Sequence, residues 1–417
     1  MTLSEKPGLQ SVRVTLGAVL TICALVAIGS LPTARAEVRL QAPHGRAAPD
    51  GPTWSAPYNV SDPSEVESEM PALAITNSGV AHIVWEEGGE LYHSYREAGS
   101  WSDPSSIPGV GSGEQPALEA GPNSSVHLVY VDDVDIWYAD VFYLAWDGSD
   151  WSLPKSIFQT SGSGEFTQVF DSPDIAVAPD GSIHIVAGEQ TTYGQQLYYA
   201  TLADSSSWVA YAPIPQAYGG SPSIDVADEY TVCVAYRHET EDDIYVLNKT
   251  HATWSSPQNV SNTPSTSSTA PDLALGRSGT PEVVWQETLT GTDQIQYSRG
   301  AAWSSVLTLS NSTGGAKLPS LTIDAFGYRY VAWDDETFPF AIRHTWTSDP
   351  GTWPDPGLVH ASSLSLEDVS LDVGRDGVVH AAWTKIQVGK GEILYASAKV
   401  HDVFNVFLPL VMTDVGP

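Results

Sequence analysis

Carboxylates recur at fixed positions in this chain, and they are its best candidates for chemistry. Glu87, Asp132, Glu189, Glu287 and Asp335 each lie two residues beyond the end of an apolar run. A second set, Glu69, Glu114, Asp171 and Glu367, stands two residues before the first position of another recurring segment. Two carboxyl groups roughly 5–10 Å apart can hydrolyse a glycosidic bond. Several carboxylate oxygens at about 2.3–2.6 Å can hold Ca²⁺. Asp132, Asp133 and Asp135 are the densest run for such an ion, although the D-x-D-x-D-G spacing of an EF-hand is missing. Carboxylates beside exposed aromatics such as Trp137, Tyr138, Tyr193 or Tyr218 suit a glycan or a basic peptide. An acidic rim can equally be plain solvation of a soluble protein. With so many acids present, some pair meets the glycosidase distance by chance, so spacing alone does not select an enzyme.

Other chemistries are excluded more firmly. The chain has no Gly-x-Ser-x-Gly elbow, His-Glu-x-x-His pair, Walker motif or Cys-x-x-Cys. The formal net charge of −32 disfavours nucleic acid and anionic membranes as partners. Four histidines, His82, His127, His184 and His380, hold equivalent positions in different copies of a repeat. Metal ligands must converge within about 2 Å of one ion, so these histidines read as packed and hydrogen-bonded.

The elements that position these groups follow from the repeat. A Pro-x-[Leu/Ile]-x-apolar segment starts at Pro71, Pro116, Pro173, Pro222, Pro271 and Pro319, and a seventh copy starts at Val369. Each is followed by a turn, usually with Gly, then by an apolar run that mostly ends in an aromatic, then by acids. A further alternating stretch and a Trp-Ser strand complete the unit. A period of 45–57 residues built from short strands implies a propeller. In copy five, Pro271–Leu275 alternates as a strand should, while Glu282–Trp285 is apolar without alternation, as expected of a strand covered on both faces.

Tryptophan marks the outer strand at Trp54, Trp101, Trp151, Trp208, Trp254, Trp303 and Trp353. Such a residue packs between neighbouring units and buries roughly 150–250 Å². Trp54 has no preceding strands of its own, and the last copy has three strands but no Trp-Ser-x-Pro. Residues 53–61 are therefore expected to pair with the third strand of the last copy. The expected fold is all-β: a seven-bladed β-propeller closed by an N-terminal outer strand.

Residues 1–36 read as a cleaved secretory signal, with a basic Lys6 and Arg13, an apolar Val14–Gly29 run and Ala34-Arg35-Ala36 at the cleavage point. Residues 37–52 are a flexible leader, 53–399 the propeller, and 400–417 a hydrophobic tail. Cleavage leaves Cys233 alone, so no intramolecular disulfide can form.

Gly79–Trp85 and Gly377–Trp383 share the form Gly-x-x-His-x-[Val/Ala]-Trp, and Trp101–Pro104 and Trp254–Pro257 share Trp-Ser-x-Pro. In these motifs the chain resembles bacterial propellers of the sialidase-like superfamily, over about residues 53–399. The resemblance implies the fold. Its catalytic residues do not carry over. Ala178–Gly181 and Arg375–Gly377 match only the middle of an Asp-box, and no arginine triad or Phe/Tyr-Arg-Ile-Pro motif is present.

The reading is a secreted, monomeric, non-catalytic binding module for glycans or extracellular partners. It does not touch membrane once the signal is cleaved. No cofactor is required, calcium at Asp132, Asp133 and Asp135 being the one candidate. Its ligand-binding rim comprises Glu87, Asp132, Glu189, Glu287, Asp335, Trp137 and Tyr193. The alternative is a divergent sialidase-like or other glycoside-processing enzyme that uses rim carboxylates.

Overall fold

A computed structural model describes residues 52–400 apart from 63–65, 136–137, 161–167, 203–209, 264, 301–302, 304 and 388–389. It also gives the backbone of Ser11–Leu16 and Leu20–Leu25, which pair as an antiparallel hairpin within a separate unit, residues 1–44. The expected leader up to residue 51, the expected tail beyond Val400, and Trp137 and Trp208 lie outside the described residues. So does most of the expected signal segment.

The main unit is all-β, with no helix among the described residues. Its strands form four-stranded antiparallel groups, each running outward from a first strand. The first strands are Ser68–Ile75, Glu114–Ala120, Gln168–Val177, Gly219–Asp228, Ser268–Leu275, Ala316–Ile323 and Leu366–Val373. Each packs against the next, and Leu366–Val373 packs against Ser68–Ile75. The second and third groups are also joined by a short parallel bridge, Tyr138 to Gln168 and Ala139 to Val169. In the last group the outer position is taken by Thr53–Trp54 and Tyr58–Asn59, both paired with Lys390–Lys399.

Hydrophobic clusters fill every gap between neighbouring groups, including last against first, where Trp85, Ile83 and Leu73 meet Ala382, Ile393 and Tyr395. The second strands end in fully buried aromatics, among them Trp85, Trp285, Trp333 and Trp383. At about 25 cal/mol per Å², burying roughly 200 Å² of such a ring contributes about 5 kcal/mol before entropy is counted. The outer tryptophans pack on the third strand of the preceding group: Trp101 on Tyr395, Trp151 on His93, Trp254 on Tyr199 and Trp353 on Tyr297.

Every first strand carries a β-bulge at its start, between Glu69 and Ala72 in the first group and at equivalent sites in the others. The bulge holds a left-handed, non-glycine residue: Met70, Gln115, Ser172, Ser221, Ala270, Leu318 or Asp368, with φ between 46° and 58°. In six copies a proline follows, and a residue without an N–H leaves no donor orphaned where the ladder is interrupted.

The first strands line an axial cavity of about 460 Å³. Their inner edges expose N–H groups that no ladder pairs, and side chains of the preceding group take them up. Asp174 accepts from the Ile224 N–H (2.8 Å), Asp225 from Leu275 (2.6 Å), Asp272 from Leu321 (2.6 Å) and Asp372 from Ile75 (2.6 Å). Ser320 does the same for Leu371 (3.1 Å). These clasps answer the requirement that buried backbone donors be satisfied. Asp372 links the last first strand to the first one, and also accepts from Val373 (2.6 Å). Asp372→Ala is expected to cost about 1–3 kcal/mol, read from the urea midpoint. Asp372→Asn, which keeps one acceptor, should cost less. An unchanged midpoint for the alanine variant would show that the clasp contributes nothing.

Candidate functional site

Antiparallel topology places the second-to-third turns and the entries to the first strands at one end of the unit. The bulged residues Ser172, Ser221, Ala270 and Leu318 line a cavity of about 320 Å³ there, the mouth of the axial channel. The carboxylates singled out from sequence stand at the same end of the sheets but do not line this cavity, and they are in two physical states.

The first state is tied down. Glu87 accepts from the Trp85 indole (2.9 Å) and from Ser68 (3.0 Å). Glu287, 2% exposed, accepts from the Trp285 indole (2.8 Å) and from Thr266 (3.3 Å). Asp335 is buried and accepts from Ser312 (3.0 Å), the Thr337 N–H (2.9 Å) and Arg343 (2.8 Å). Glu189 is buried and accepts from the Tyr198 hydroxyl. The cause is strand period. A residue two beyond the buried aromatic shares its face, so it is drawn between sheets within reach of the indole N–H.

This pattern fails where the residue changes. The Trp333 and Trp383 indoles, followed by Asp335 and Lys385, have no hydrogen-bond partner. Glu287→Ala is expected to destabilise by about 1.5–3 kcal/mol, since it strips the buried Trp285 N–H of its acceptor. Glu287→Gln should recover most of that loss in the same denaturation experiment. Equal losses for both variants would rule out the indole bond as the cause.

The second state is open. Glu69 and Glu86 are direct cross-strand partners in the first group, which sets their Cβ atoms about 4.5–5.5 Å apart, an unfavourable arrangement for like charges. The Glu69, Glu86 and Glu114 side chains form no hydrogen bond or ion pair with other described residues. Partial burial, then Glu114, Glu69 and Glu67, pushes Glu86 up to about 7. Glu69 is raised by burial and by Glu67, Glu367 and Glu114, and Glu114 by burial and Asp133. Asp368, at the bulge of the last group, is pushed up to about 6 by burial, Glu367 and Glu69. At the position of the Glu69–Glu86 pair, the sixth group has Lys317 opposite Asp334. Four cations on this rim are paired, Arg237 with Asp242, Lys317 with Glu336, Arg343 with Asp335 and Lys385 with Glu392, while Lys390 stands at the hairpin tip of the last group. No ion pair among the described residues reaches Glu69, Glu86 or Glu114, in the first and second groups.

Asp132 and Asp133 are consecutive on a strand, pair with Asp140 and Ala139, and so point to opposite faces. Asp132 is raised by burial, opposed by the Ser112 and Gly111 N–H groups. Asp135 lies on the same strand past a register shift. Among the described residues no three His, Cys, Asp or Glu side chains are grouped to hold a metal. Tyr193 stands 84% exposed at the tip of its hairpin. The four equivalent histidines are buried. His127, His184 and His380 each bond a tyrosine hydroxyl of their own sheet (2.7, 2.6 and 2.6 Å), and His82 bonds His93 (3.0 Å).

One feature of the site carries no signal in the sequence: the bulge, whose left-handed residue is never glycine. Glu86 is visible in the sequence as one of the acids after a second strand, but its isolation depends on which neighbours lack a cation.

The fold and its axial mouth define a β-propeller. The chain is similar in structure to an ulvan lyase bound to a GlcA–Rha3S unit (TM-score 0.54, 9% identity, 80% of this chain and 97% of that one). It is similar to an α-L-arabinanase of Penicillium chrysogenum complexed with arabinobiose (0.51, 12%, 84% and 99%). It is also similar to the Hadza microbial sialidase Hz136 (0.51, 12%, 82% and 68%). At these identities the likeness is one of fold. No family model matches the sequence, and no curated protein does.

Proposed function

We propose that this chain is an exported, non-catalytic glycan-binding propeller. In this reading seven blades close into a ring through residues 53–61, and the ligand sits over the channel mouth above the first blade. The observation that carries it is the set Glu69, Glu86 and Glu114: part-buried carboxylates with no side-chain partner among the described residues, at the end of the sheets where the channel opens. Sugar hydroxyls are the donors such groups lack, and a neutral or basic glycan suits a rim of this charge. The carbohydrate ligands of the similar structures support this class of ligand. Export is supported by the residue pattern of 1–36.

A second reading rests on one observation. Glu86, pushed to about 7 beside an unpaired Glu69, holds a proton near neutrality, as a glycosidase acid must. A glycan array, followed by turnover assays on each glycan bound, separates the two. Binding that falls at least tenfold in Glu86→Gln, without bond cleavage, is the expected result. Cleavage lost in Glu86→Gln would make the chain an enzyme. Undiminished binding in that variant would move the site away from the mouth.

A further inference from the structure

We propose a second ligand site, on the face opposite the acidic mouth, that takes a sugar residue bearing a carboxylate. It lies between the third and fourth groups, beside the turns that join first to second and third to fourth strands. The cavity measures about 580 Å³, inside the range of roughly 300–1,000 Å³ typical of small-molecule sites. Its walls are aromatic. Tyr199 and Trp254 meet edge to face at 5.3 Å, and Tyr230 stacks on His251 at 4.8 Å.

The decisive residue is Lys249. Its ammonium sits 5.2 Å over the Tyr199 ring, and among the described residues it forms no ion pair or hydrogen bond. Lys249 is half-buried and has no counter-ion among the described residues, in a chain of net charge −32. Glu229 at the lip accepts from the Tyr230 hydroxyl. A ligand carboxylate would supply the missing counter-ion, and the ring faces would take the apolar C–H face of a pyranose.

The repeat shows how this cavity opens. Between the last and first groups, Arg96 lies over Tyr395 (5.8 Å) as Lys249 lies over Tyr199. Trp101 meets Tyr395 at 4.9 Å as Trp254 meets Tyr199. The outer-strand residue opposite Tyr395 is Tyr58, whose ring stacks on Trp101 at 6.1 Å. Opposite Tyr199 it is Ala212, which lines the cavity. One copy has a ring where the other has a methyl group, and the difference leaves room for a ligand.

Calorimetric titration of the full chain with methyl glucuronoside and with methyl glucoside tests the site. The uronoside should bind at least tenfold more tightly than the neutral sugar, and Lys249→Gln should erase that difference. Ala212→Tyr, a residue the fold accepts at the equivalent position, should abolish uronoside binding with an unchanged melting temperature. Glu86→Gln should leave it intact, so failure at the mouth and failure here are distinguishable. Equal affinity for the two sugars, no uronoside binding, or uronoside binding that survives in Lys249→Gln would each overturn the proposal.

Discussion

Arg329→Met is expected to destabilise the fold by about 3–5 kcal/mol, the usual consequence of removing one partner of a buried ion pair. Arg329, on the second strand of the sixth group, reaches across to Glu282 on the second strand of the fifth, with Nε to Oε2 at 2.9 Å and Nη2 to Oε1 at 2.6 Å. Their side chains are 11% and 1% exposed. The Tyr297 hydroxyl donates to the same carboxylate at 2.6 Å. Without the guanidinium, Glu282 keeps only that hydroxyl in a site water does not reach. The double variant Glu282→Met, Arg329→Met should be more stable than Arg329→Met alone, because it removes the stranded charge. Urea denaturation of the four members of this cycle measures the coupling. A loss below about 1 kcal/mol in the single variant would place the pair energetically with exposed ones.

Acid should weaken the fold through the buried histidines. His82 is lowered to about 4 by burial, and His93 to about 3 by burial and by His82. The Trp151 indole donates to His93 Nδ1 (3.2 Å), so His93 carries its proton on Nε2 and donates it to His82 Nδ1 (3.0 Å). A further proton on either ring would set donor against donor. Above the unfolded value of 6.5, both states hold these rings neutral and stability does not change. As pH falls below 6.5 the unfolded chain takes up protons that the folded chain refuses, so stability drops until the folded values are reached. For His93 the loss by pH 4 is about 3 kcal/mol. The channel carboxylates run the other way. Burial raises Asp174 to about 7 and Asp225, Asp272 and Asp372 to about 6. Their contribution is present at low pH and lost as pH rises through those values. The two trends overlap in wild type, and His93→Phe separates them. The stability gap between wild type and this variant should narrow by about 3 kcal/mol between pH 7 and pH 4. A constant gap would mean that His93 titrates alike in both states.

Much of this architecture is legible in residue pattern because local preference and tertiary packing agree. Pro271–Leu275 alternates and forms part of a first strand, and Glu282–Trp285 lies in a strand covered on both faces. The unpartnered Trp54 pointed to an outer strand, and Trp54 pairs with Ala398. First strands nevertheless begin about three residues before their prolines, because the bulge lets the ladder resume upstream. Nothing in Met70, Ala270 or Leu318 announces a left-handed backbone. Strand position separates acids that look alike in the sequence. Glu87 and Glu86 are adjacent acids in the sequence, yet alternation gives one to the Trp85 indole and leaves the other open. The charge imbalance among groups could be counted from Lys317 and Lys385, but pairing decides its effect, and pairing is a property of three dimensions.

The seam between the two ends of the propeller unit has a mechanical consequence. Thr53 pairs with Lys399 and Trp54 with Ala398, while Tyr58 and Asn59 pair with Tyr395 and Leu394 further in. The chain therefore enters this sheet beside the point where it leaves. Opposed forces applied at residues 53 and 399 load the Thr53–Lys399 pair alone and then the next, so the strand peels like a zipper. The same strand pulled along its length against Lys390 would resist in shear, with all its ladder bonds loaded together. Attachment through both termini would thus make this seam the first part of the protein to yield. Attachment through one terminus would leave it without load.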